Sequence, residues 1–269
     1  MITFLKLGGS LITEKDKARH ARQATIRRLG MEIREAMEER PDLQIILGHG
    51  SGSFGHIPAH KFKTRDGVFS QDEWLGFAEV HHEAQSLNQI VMDIFFECGL
   101  PCIPISPLSA VEAKNGIAEK WDICPIIAAL KNGMIPVVYG DTVFDIIRGG
   151  TILSTEDLFV FLAAKIKQSG RVLLAGWEEG LWEDFPDRTK LISRLEITNY
   201  PDQKNDFLKG SLFTDVTGGM AEKVHLMANL IQNDIIHSAL IFSGEKPLNL
   251  KNALLDQIPG TLLYSNKKE

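Results

Sequence analysis

The chain has 269 residues, of which 44% are hydrophobic and 24% are charged, and these proportions are ordinary for a soluble globular protein. Its 29 lysines and arginines against 35 aspartates and glutamates give a formal net charge of −6, which argues against a nucleic-acid surface. No stretch is long enough for a transmembrane helix, and the three cysteines have no metal-ligand spacing. We therefore expect a cytoplasmic protein with buried free thiols and no membrane partner.

Strands and helices alternate along the chain, which predicts an α/β fold: a three-layer αβα sandwich with a mainly parallel central sheet. Strands are predicted over 3–7, 44–47, 102–105, 135–139, 171–175, 239–242 and 261–264. Helices are predicted over 24–39, 70–98, from 154 or 155, over 219–232 and over 248–257, with hairpin turns at Asn115-Gly116 and Gly149-Gly150. We treat residues 1–269 as one domain with lobes 1–150 and 151–269.

The segment from Gly48 to His56 is the most informative stretch of the chain. It follows an apolar strand and holds four glycines within eight residues, so we expect a loop that turns sharply. Such a loop directs several backbone N–H groups at one anion, and His56 adds a donor that can carry charge near neutral pH. The pattern predicts a binding site for a phosphate group.

The same loop contains the spacing G-x-G-x-x-G at Gly50, Gly52 and Gly55, which is also the fingerprint of dinucleotide-binding folds. Those folds place an acidic residue at the end of a second strand about 20 residues later. Asp72 and Glu73 fall at that distance, but they open a helix with no strand before it. A dinucleotide-dependent oxidoreductase is therefore a remote alternative.

Further glycine-rich turns follow other predicted strands or precede a helix, at 8–10, 140–141, 176–180 and 215–220. Ligands of open α/β sheets bind at the carboxyl ends of the strands, so these turns predict a polyphosphate that spans more than one loop. Lys6 lies two residues before the first of these turns, and Lys223 lies near the start of the helix that follows the last of them. Lys15 lies in a polar segment that follows the first turn. The fixed positive charge that these three lysines could provide favours phosphoryl transfer.

Four carboxylates, Asp141, Asp145, Glu156 and Asp157, follow the 135–139 strand, and they could hold Mg²⁺ through water or orient the lysines. The sequence has neither the G-x-x-x-x-G-K-[ST] motif of P-loop NTPases nor the motif set of protein kinases. The residues therefore indicate phosphoryl transfer by a different fold.

The segments Lys6-Leu7-Gly8-Gly9-Ser10, 52–56 and 215–220 together resemble the isopentenyl phosphate kinases of the amino acid kinase superfamily. The resemblance covers essentially the whole chain. It implies transfer of the γ-phosphate of ATP, with Mg²⁺, to isopentenyl phosphate, a small phosphorylated acceptor. It also implies a homodimer and a place in isoprene biosynthesis.

The resemblance further implies a role for each matching residue. The ATP phosphates would be contacted by Lys6, Gly8, Gly9, Ser10, Gly52 and Lys223. The nucleotide would be bordered by the segment from Gly176 to Trp182, which includes Gly180, and by Gly219. The acceptor would be bound by Gly50, Ser51, His56 and Thr155. Lys15, Lys6 and Lys223 would be catalytic, and no residue is assigned as a direct metal ligand. Val80, Ala84 and Leu87 are candidates for the wall around the acceptor's tail, although core packing would also explain them.

Two positions depart from the family pattern. Ser51 interrupts a run of three glycines, but a serine still donates its backbone N–H. Thr155 and Glu156 stand where the family often has a glycine and a shorter carboxylate, so their roles stay open. Close alternatives are a fosfomycin-type phosphonate kinase or a kinase for another phosphate acceptor. UMP kinase, acetylglutamate or glutamate kinase, and a nucleotide sensor without turnover are less favoured.

Replacing His56 with alanine tests the role that the resemblance gives it. We expect His56→Ala to raise KM for the phosphorylated acceptor far more than KM for ATP, because only the acceptor phosphate would lose a hydrogen bond. Steady-state kinetics with each substrate varied in turn measure the two constants. An acceptor KM equal to that of the wild type would remove His56 from the site.

Overall fold

The computed structural model describes residues 1–14, 16–197 and 218–266, and of His56 and Ile57 only the backbone. Its strands are β1 (Ile2–Leu7), β2 (Gln44–His49), β3 (Cys102–Pro104), β4 (Val111–Lys114), β5 (Ile117–Trp121), β6 (Ile135–Tyr139), β7 (Asp141–Asp145), β8 (Gly149–Leu153), β9 (Gly170–Gly176), β10 (Leu181–Trp182), β11 (Leu191–Ile192), β12 (Arg194–Glu196), β13 (Ser238–Ser243) and β14 (Gly260–Tyr264). Its helices are α1 (Gly9–Ile12), α2 (Gln23–Glu39), α3 (Gly52–Phe62), α4 (Gln71–Glu97), α5 (Pro107–Ala110), α6 (Cys124–Lys131), α7 (Thr155–Ile166), α8 (Gly218–Gln232) and α9 (Asn249–Leu254). Among the described residues, no helix has the length and apolar character needed to cross a membrane.

Eight strands form one sheet in the order β12-β14-β13-β9-β1-β2-β6-β3, in which only β13 and β14 pair antiparallel. The mainly parallel sheet predicted from the sequence is therefore confirmed. The first strand lies at its centre, with Leu7 opposite His49 on one side and Ala175 on the other. Because these pairings are parallel, β1, β2 and β9 end at the same edge of the sheet.

Both faces of the sheet are covered by helices. Alternate residues of β1 enter opposite layers, since Phe4 packs on Phe159 of α7 with ring centroids 5.4 Å apart, whereas Leu5 packs in the layer of α2, α4 and α9. This alternation follows from the two-residue period of a strand, and burial on both faces explains why the strand sequences are almost wholly apolar. The architecture is the predicted αβα sandwich.

A second sheet of four strands, β5-β4-β7-β8, contains both predicted hairpins. The first turns at Asn115-Gly116 as predicted. The second turns over residues 146–148, so Gly149 and Gly150 begin β8 and do not form the turn. The Asp145 carboxylate accepts hydrogen bonds from the backbone N–H groups of Asn115, Gly116, Ile147 and Arg148 and so holds the two turns together.

The long helix α4 begins where the sequence predicts it. Ser70 and Glu73 form the expected capping box, in which each side chain accepts a hydrogen bond from the other residue's backbone N–H. The prediction that the glycine-rich loop continues to His56 is wrong, because the chain enters α3 at Gly52. The sequence patterns do not predict α6. The expectation that Cys124 is buried is wrong, because its side chain is exposed.

Replacing Gly48 in β2 should show how closely α7 approaches the sheet. A Cβ atom there would lie 2.3 Å from Thr155 Cγ2 and 2.8 Å from Phe159 Cζ. We expect Gly48→Ala to lower the free energy of unfolding by about 1–3 kcal/mol, the cost of overpacking a core, as measured by urea denaturation. Gly176→Ala is the matched control, because its Cβ would have no neighbour within 4 Å, and it should stay within about 1 kcal/mol of wild type. Equal stability of the two variants would contradict the close approach.

Candidate active site

A cavity of about 720 Å³ opens where β1, β2 and β9 end. It is lined by residues of the loops that follow these strands and by the first turns of α3, α7 and α8. Eleven residues proposed for the site from the sequence line it: Lys6, Gly8, Gly9, Ser10, Gly50, Ser51, Gly52, Thr155, Gly176, Gly219 and Lys223. Residues far apart in the sequence thus meet at one place, at the edge where open α/β sheets bind their ligands.

The two glycine-rich loops touch through their backbones. A Cβ atom on Gly9 would lie 2.5 Å from the Gly52 nitrogen, and one on Gly50 would lie 2.9 Å from the Gly9 nitrogen. Gly52 also has a positive φ of 49°, a conformation that favours glycine. The loops can approach this closely only because both lack side chains, and their N–H groups are thereby gathered at one wall of the cavity.

Thr13 ties the two loops together. Its hydroxyl donates to the Gly9 carbonyl at 2.8 Å and accepts from the Ser53 N–H at 3.0 Å. The threonine is buried, so both bonds are shielded from water. Its position directly after α1 therefore fixes the first loop against the first turn of α3.

Lys6 and Glu156 form an ion pair at the floor of the cavity, and both side chains are nearly buried. Burial alone would raise the pKa of the Glu156 carboxyl. The Lys6 ammonium, which also donates a hydrogen bond, and the charge of Lys223 outweigh that effect and hold this pKa below its ordinary value. The carboxylate therefore stays charged and holds the Lys6 ammonium beside the glycine loops.

Lys223 lies on α8, one turn after Gly219, and both residues line the cavity. Its effect on the Glu156 pKa places its charge near the ion pair. Lys6 and Lys223 thus bring two ammonium groups to the cavity that the gathered backbone N–H groups also line. This is the electrostatic character of a polyphosphate site.

Thr155 and Ser154 begin α7 at the cavity wall. The Thr155 hydroxyl donates to the His49 carbonyl at 2.6 Å, so the side chain ties α7 to the end of β2. Ser154 and Asp157 form a capping box, and Asp157 also contacts Arg65 at 3.3 Å. The threonine that replaces a family glycine thus has a structural partner of its own.

Other residues proposed from the sequence lie elsewhere. Gly180 is outside the cavity, because it packs against Thr261, 2.5 Å from where its Cβ would be. Lys15 and residues 215–217 lie outside the described residues. His56 lies in α3, one turn after Gly52, with only its backbone described.

The three carboxylates grouped with Glu156 in the sequence do not converge on a metal. Asp141 is buried and lies 3.0 Å from the His81 ring, whose pKa it raises. Asp145 and Asp157 accept hydrogen bonds from backbone groups, as described above. Within the described part of the chain, no group of three His, Cys, Asp or Glu residues could hold a metal ion.

The structure adds residues to the cavity that sequence reasoning did not assign. Arg65, Met220, Ala59 and His60 line it. Trp177 and Glu178 line it too, and they belong to the segment 176–182 that the family resemblance places beside the nucleotide. Arg65 and His60 lie in a polar stretch that carries no periodic signal, so only the path of the chain brings them there. Val80 and Ala84 line the cavity as well, whereas Leu87 is fully buried in the core.

Comparison with known proteins gives this site a context. The model of the amino acid kinase family matches residues 1–243. The chain belongs to the amino acid kinase family. An isopentenyl phosphate kinase of Methanocaldococcus jannaschii is 32% identical over 268 residues, which cover 97% of this chain and 98% of that protein. One of Haloferax volcanii is 32% identical over 231 residues, which cover 85% and 88% of the two chains.

Solved structures agree with this membership. An X-ray structure of isopentenyl phosphate kinase superimposes with a TM-score of 0.80 at 26% identity, covering 97% of this chain and 100% of that one. UMP kinase from Ureaplasma parvum superimposes with a TM-score of 0.65 at 11% identity, covering 98% and 100%, and shares the fold alone. The amino acid kinase fold predicted from the sequence is confirmed.

The ion pair of Glu156 predicts how stability depends on pH. Because the folded-state pKa of Glu156 lies below its unfolded value, about 4.3, its contribution to stability is present above that value. The contribution is lost as pH falls through the folded-state pKa. We expect Glu156→Gln to be less stable than wild type at pH 7, with the difference shrinking below about pH 4.3, in urea denaturation at a series of pH values. Glu119→Gln, at an exposed ion pair, should show almost no difference at any pH. A Glu156→Gln difference that stays constant with pH would contradict the pairing.

Proposed function

We propose that this chain is an isopentenyl phosphate kinase, which transfers the γ-phosphate of ATP to isopentenyl phosphate and releases ADP. The observation that carries the proposal is the single cavity in which two touching glycine loops, Lys6 and Lys223 surround space for more than one phosphate. The named relatives, which match nearly the whole chain, support the choice of acceptor.

The two ends of the cavity differ in chemistry, and this suggests where each substrate lies. One end is walled by the small and apolar side chains Val80, Ala84 and Ile152, and a short hydrocarbon tail fits such a surface. The other end lies beyond Gly8 and Gly176, at the carboxyl end of β9. We place the acceptor's tail at the first end and the nucleoside of ATP at the second, with all phosphates between them.

In the proposed reaction an oxygen of the acceptor phosphate attacks the γ-phosphorus, and the bond from that phosphorus to the ADP oxygen breaks. Catalysis of this transfer depends on position and charge rather than on a covalent intermediate. Lys6, oriented by Glu156, would neutralise charge on the transferring group together with Lys223. We propose Lys15 as a further cation in this step, and His56, Thr155, Ser51 and Gly50 as acceptor contacts.

Mg²⁺ would enter this site bound to the phosphates of ATP rather than be held by protein side chains alone. Of the carboxylates that line the cavity, Glu156 is paired with Lys6, and Glu178 lies 3.1 Å from Arg188. A magnesium ion typically keeps several waters and takes substrate phosphates as ligands, so the nucleotide itself would carry it. Bound there, it would withdraw charge from the phosphate oxygens.

The origin of the strands in the eight-stranded sheet suggests which substrate each lobe binds. Its strands β1, β2, β3 and β6 come from residues 1–150, and β9, β12, β13 and β14 come from the rest of the chain. We propose that the first lobe binds the acceptor and the second binds ATP, so that transfer occurs where they join. A cytoplasmic homodimer that serves isoprene biosynthesis by the mevalonate route completes the proposal.

A panel of acceptors tests the proposed activity. We expect Mg-ATP turnover, followed by ADP release, to be at least about tenfold faster in kcat/KM with isopentenyl phosphate than with fosfomycin, UMP or acetylglutamate. The reason is that each buried methylene of the tail contributes about 0.8 kcal/mol. Dominant turnover of fosfomycin would favour the phosphonate kinase, and nucleotide binding without turnover of any acceptor would favour a sensor.

Two variants show that the turnover comes from this site. Lys6→Met should abolish it, because the cation at the cavity floor is lost. Lys120→Met removes an exposed lysine of β5 that pairs with Glu112 outside the cavity, and it should leave turnover unchanged. Full activity of Lys6→Met would overturn the assignment of the cavity.

A further inference from the structure

We propose that His49 is a positioning residue of the acceptor site: its buried ring holds the Gly50 carbonyl and so turns the Ser51 N–H toward the cavity. The inference deepens the proposed function and rests on it, because Ser51 is one of the proposed acceptor contacts. His49 ends β2 directly before the glycine loop. It is fully buried, and it does not itself line the cavity.

Three neighbours fix the orientation of the His49 ring. Its Nδ1 lies 3.2 Å from the Gly50 carbonyl oxygen, and its Nε2 lies 3.1 Å from the side-chain amide of Asn88, a buried residue of α4. The ring also stacks on Tyr139 of β6, with ring centroids 5.5 Å apart and planes 9° from parallel. A ring that is bonded at both nitrogens and packed on one face cannot turn without losing one of these contacts.

The partners of the ring determine which nitrogen carries its hydrogen. A carbonyl oxygen can only accept, so Nδ1 carries the hydrogen and donates it to Gly50. Burial and, to a smaller extent, the charge of Lys6 lower the pKa of His49, so the ring is neutral and Nε2 keeps a free lone pair. The NH2 group of the Asn88 amide can turn toward Nε2 and donate to it, which satisfies both ring nitrogens inside the core.

The bond to Gly50 determines where the next backbone N–H points. The peptide between Gly50 and Ser51 is trans, so its carbonyl and its N–H point in opposite directions. The carbonyl faces the buried ring, and the Ser51 N–H therefore faces the cavity that both residues line. Among the described residues this N–H has no hydrogen-bond partner. It is therefore available to an oxygen of a phosphate group.

The same ring connects this loop to the helix that walls the proposed site of the acceptor's tail. Asn88 follows Ala84 by one turn of α4 and Val80 by two, and those two residues line the cavity. Residues four apart lie on the same face of a helix. Asn88 and His49 thus tie the wall beside the tail to the loop beside the acceptor phosphate. A change at His49 should therefore affect the acceptor more than ATP.

Two amide substitutions separate the hydrogen bond to Gly50 from the packing of the ring. In His49→Asn the amide nitrogen can take the place of Nδ1 and donate to Gly50, whereas in His49→Gln it takes the place of Nε2 and reaches only Asn88. We expect His49→Gln to raise KM for isopentenyl phosphate about tenfold or more, the effect of losing one hydrogen bond to a charged group, and to change KM for ATP by less than about threefold. His49→Asn should stay within about threefold of wild type for both constants.

A control variant and two measurements without turnover complete the test. His237→Asn should leave both constants unchanged, because His237 directly precedes β13 at the edge of the sheet opposite the cavity. Thermal melts show whether each variant is folded. NMR of the wild-type imidazole should show the hydrogen of His49 on Nδ1. The Ser51 amide resonance should shift when inorganic phosphate is added to wild type or His49→Asn, and shift less in His49→Gln.

The outcomes separate the inference from the proposed function. A wild-type KM for isopentenyl phosphate in His49→Gln, equal losses in both amide variants, or a hydrogen on Nε2 in the wild type would overturn the positioning role and leave the kinase proposal standing. A wild-type protein that does not turn over isopentenyl phosphate would overturn the proposed function. The Ser51 resonance would then decide the inference, since a wild-type resonance that does not respond to phosphate would overturn the positioning role as well.

Discussion

The contact between the two glycine loops is the constraint on which the site depends. The loops follow neighbouring parallel strands, and their backbones approach so closely that a Cβ atom on Gly9 would overlap Gly52. Parallel pairing sets the two strand ends side by side, but it does not by itself bring the loops into contact. The loops can come into contact because their glycines have no side chains, and the hydrogen bonds of Thr13 then hold the two loops together. Every other group in the cavity is placed relative to this wall of backbone N–H groups.

The charged groups beside that wall differ in balance from the charged groups of the chain as a whole. The protein carries a formal net charge of −6, yet Lys6 and Lys223 both lie close enough to Glu156 to lower the pKa of its carboxyl. Glu156 is unfavourable for an anion when considered alone. The Glu156 carboxylate orients Lys6, whose long and flexible side chain would otherwise place the ammonium in many positions. A buried carboxylate whose pKa is held low can do this without becoming protonated.

The fold was largely predictable because its signals are local. Apolar runs of five or six residues marked the buried strands, and the capping box of Ser70 and Glu73 marked the start of α4. The loop after β2 was predicted as a phosphate site and does line the cavity, but its continuation as α3 was missed. Glycines and a proline in that segment argue against a helix on propensity, and packing against α4 overrides the propensity. The family resemblance implies that Gly180 borders the nucleotide, and in the structure this glycine packs closely on Thr261 and does not line the cavity.

The sequence by itself determined the family, the parallel sheet and most of the groups that surround the cavity, since these depend on motifs and on periodicity within short segments. Only the tertiary structure decided which of four sequence-adjacent carboxylates faces the site. Asp141 contacts His81, Asp145 accepts hydrogen bonds from two turns, and Asp157 caps α7. Of the four carboxylates, only Glu156 pairs with Lys6. It also decided that Ala59 and Arg65 line the cavity. Such choices depend on where distant segments cross, and that is set by packing of the whole core rather than by any residue's neighbours in the chain.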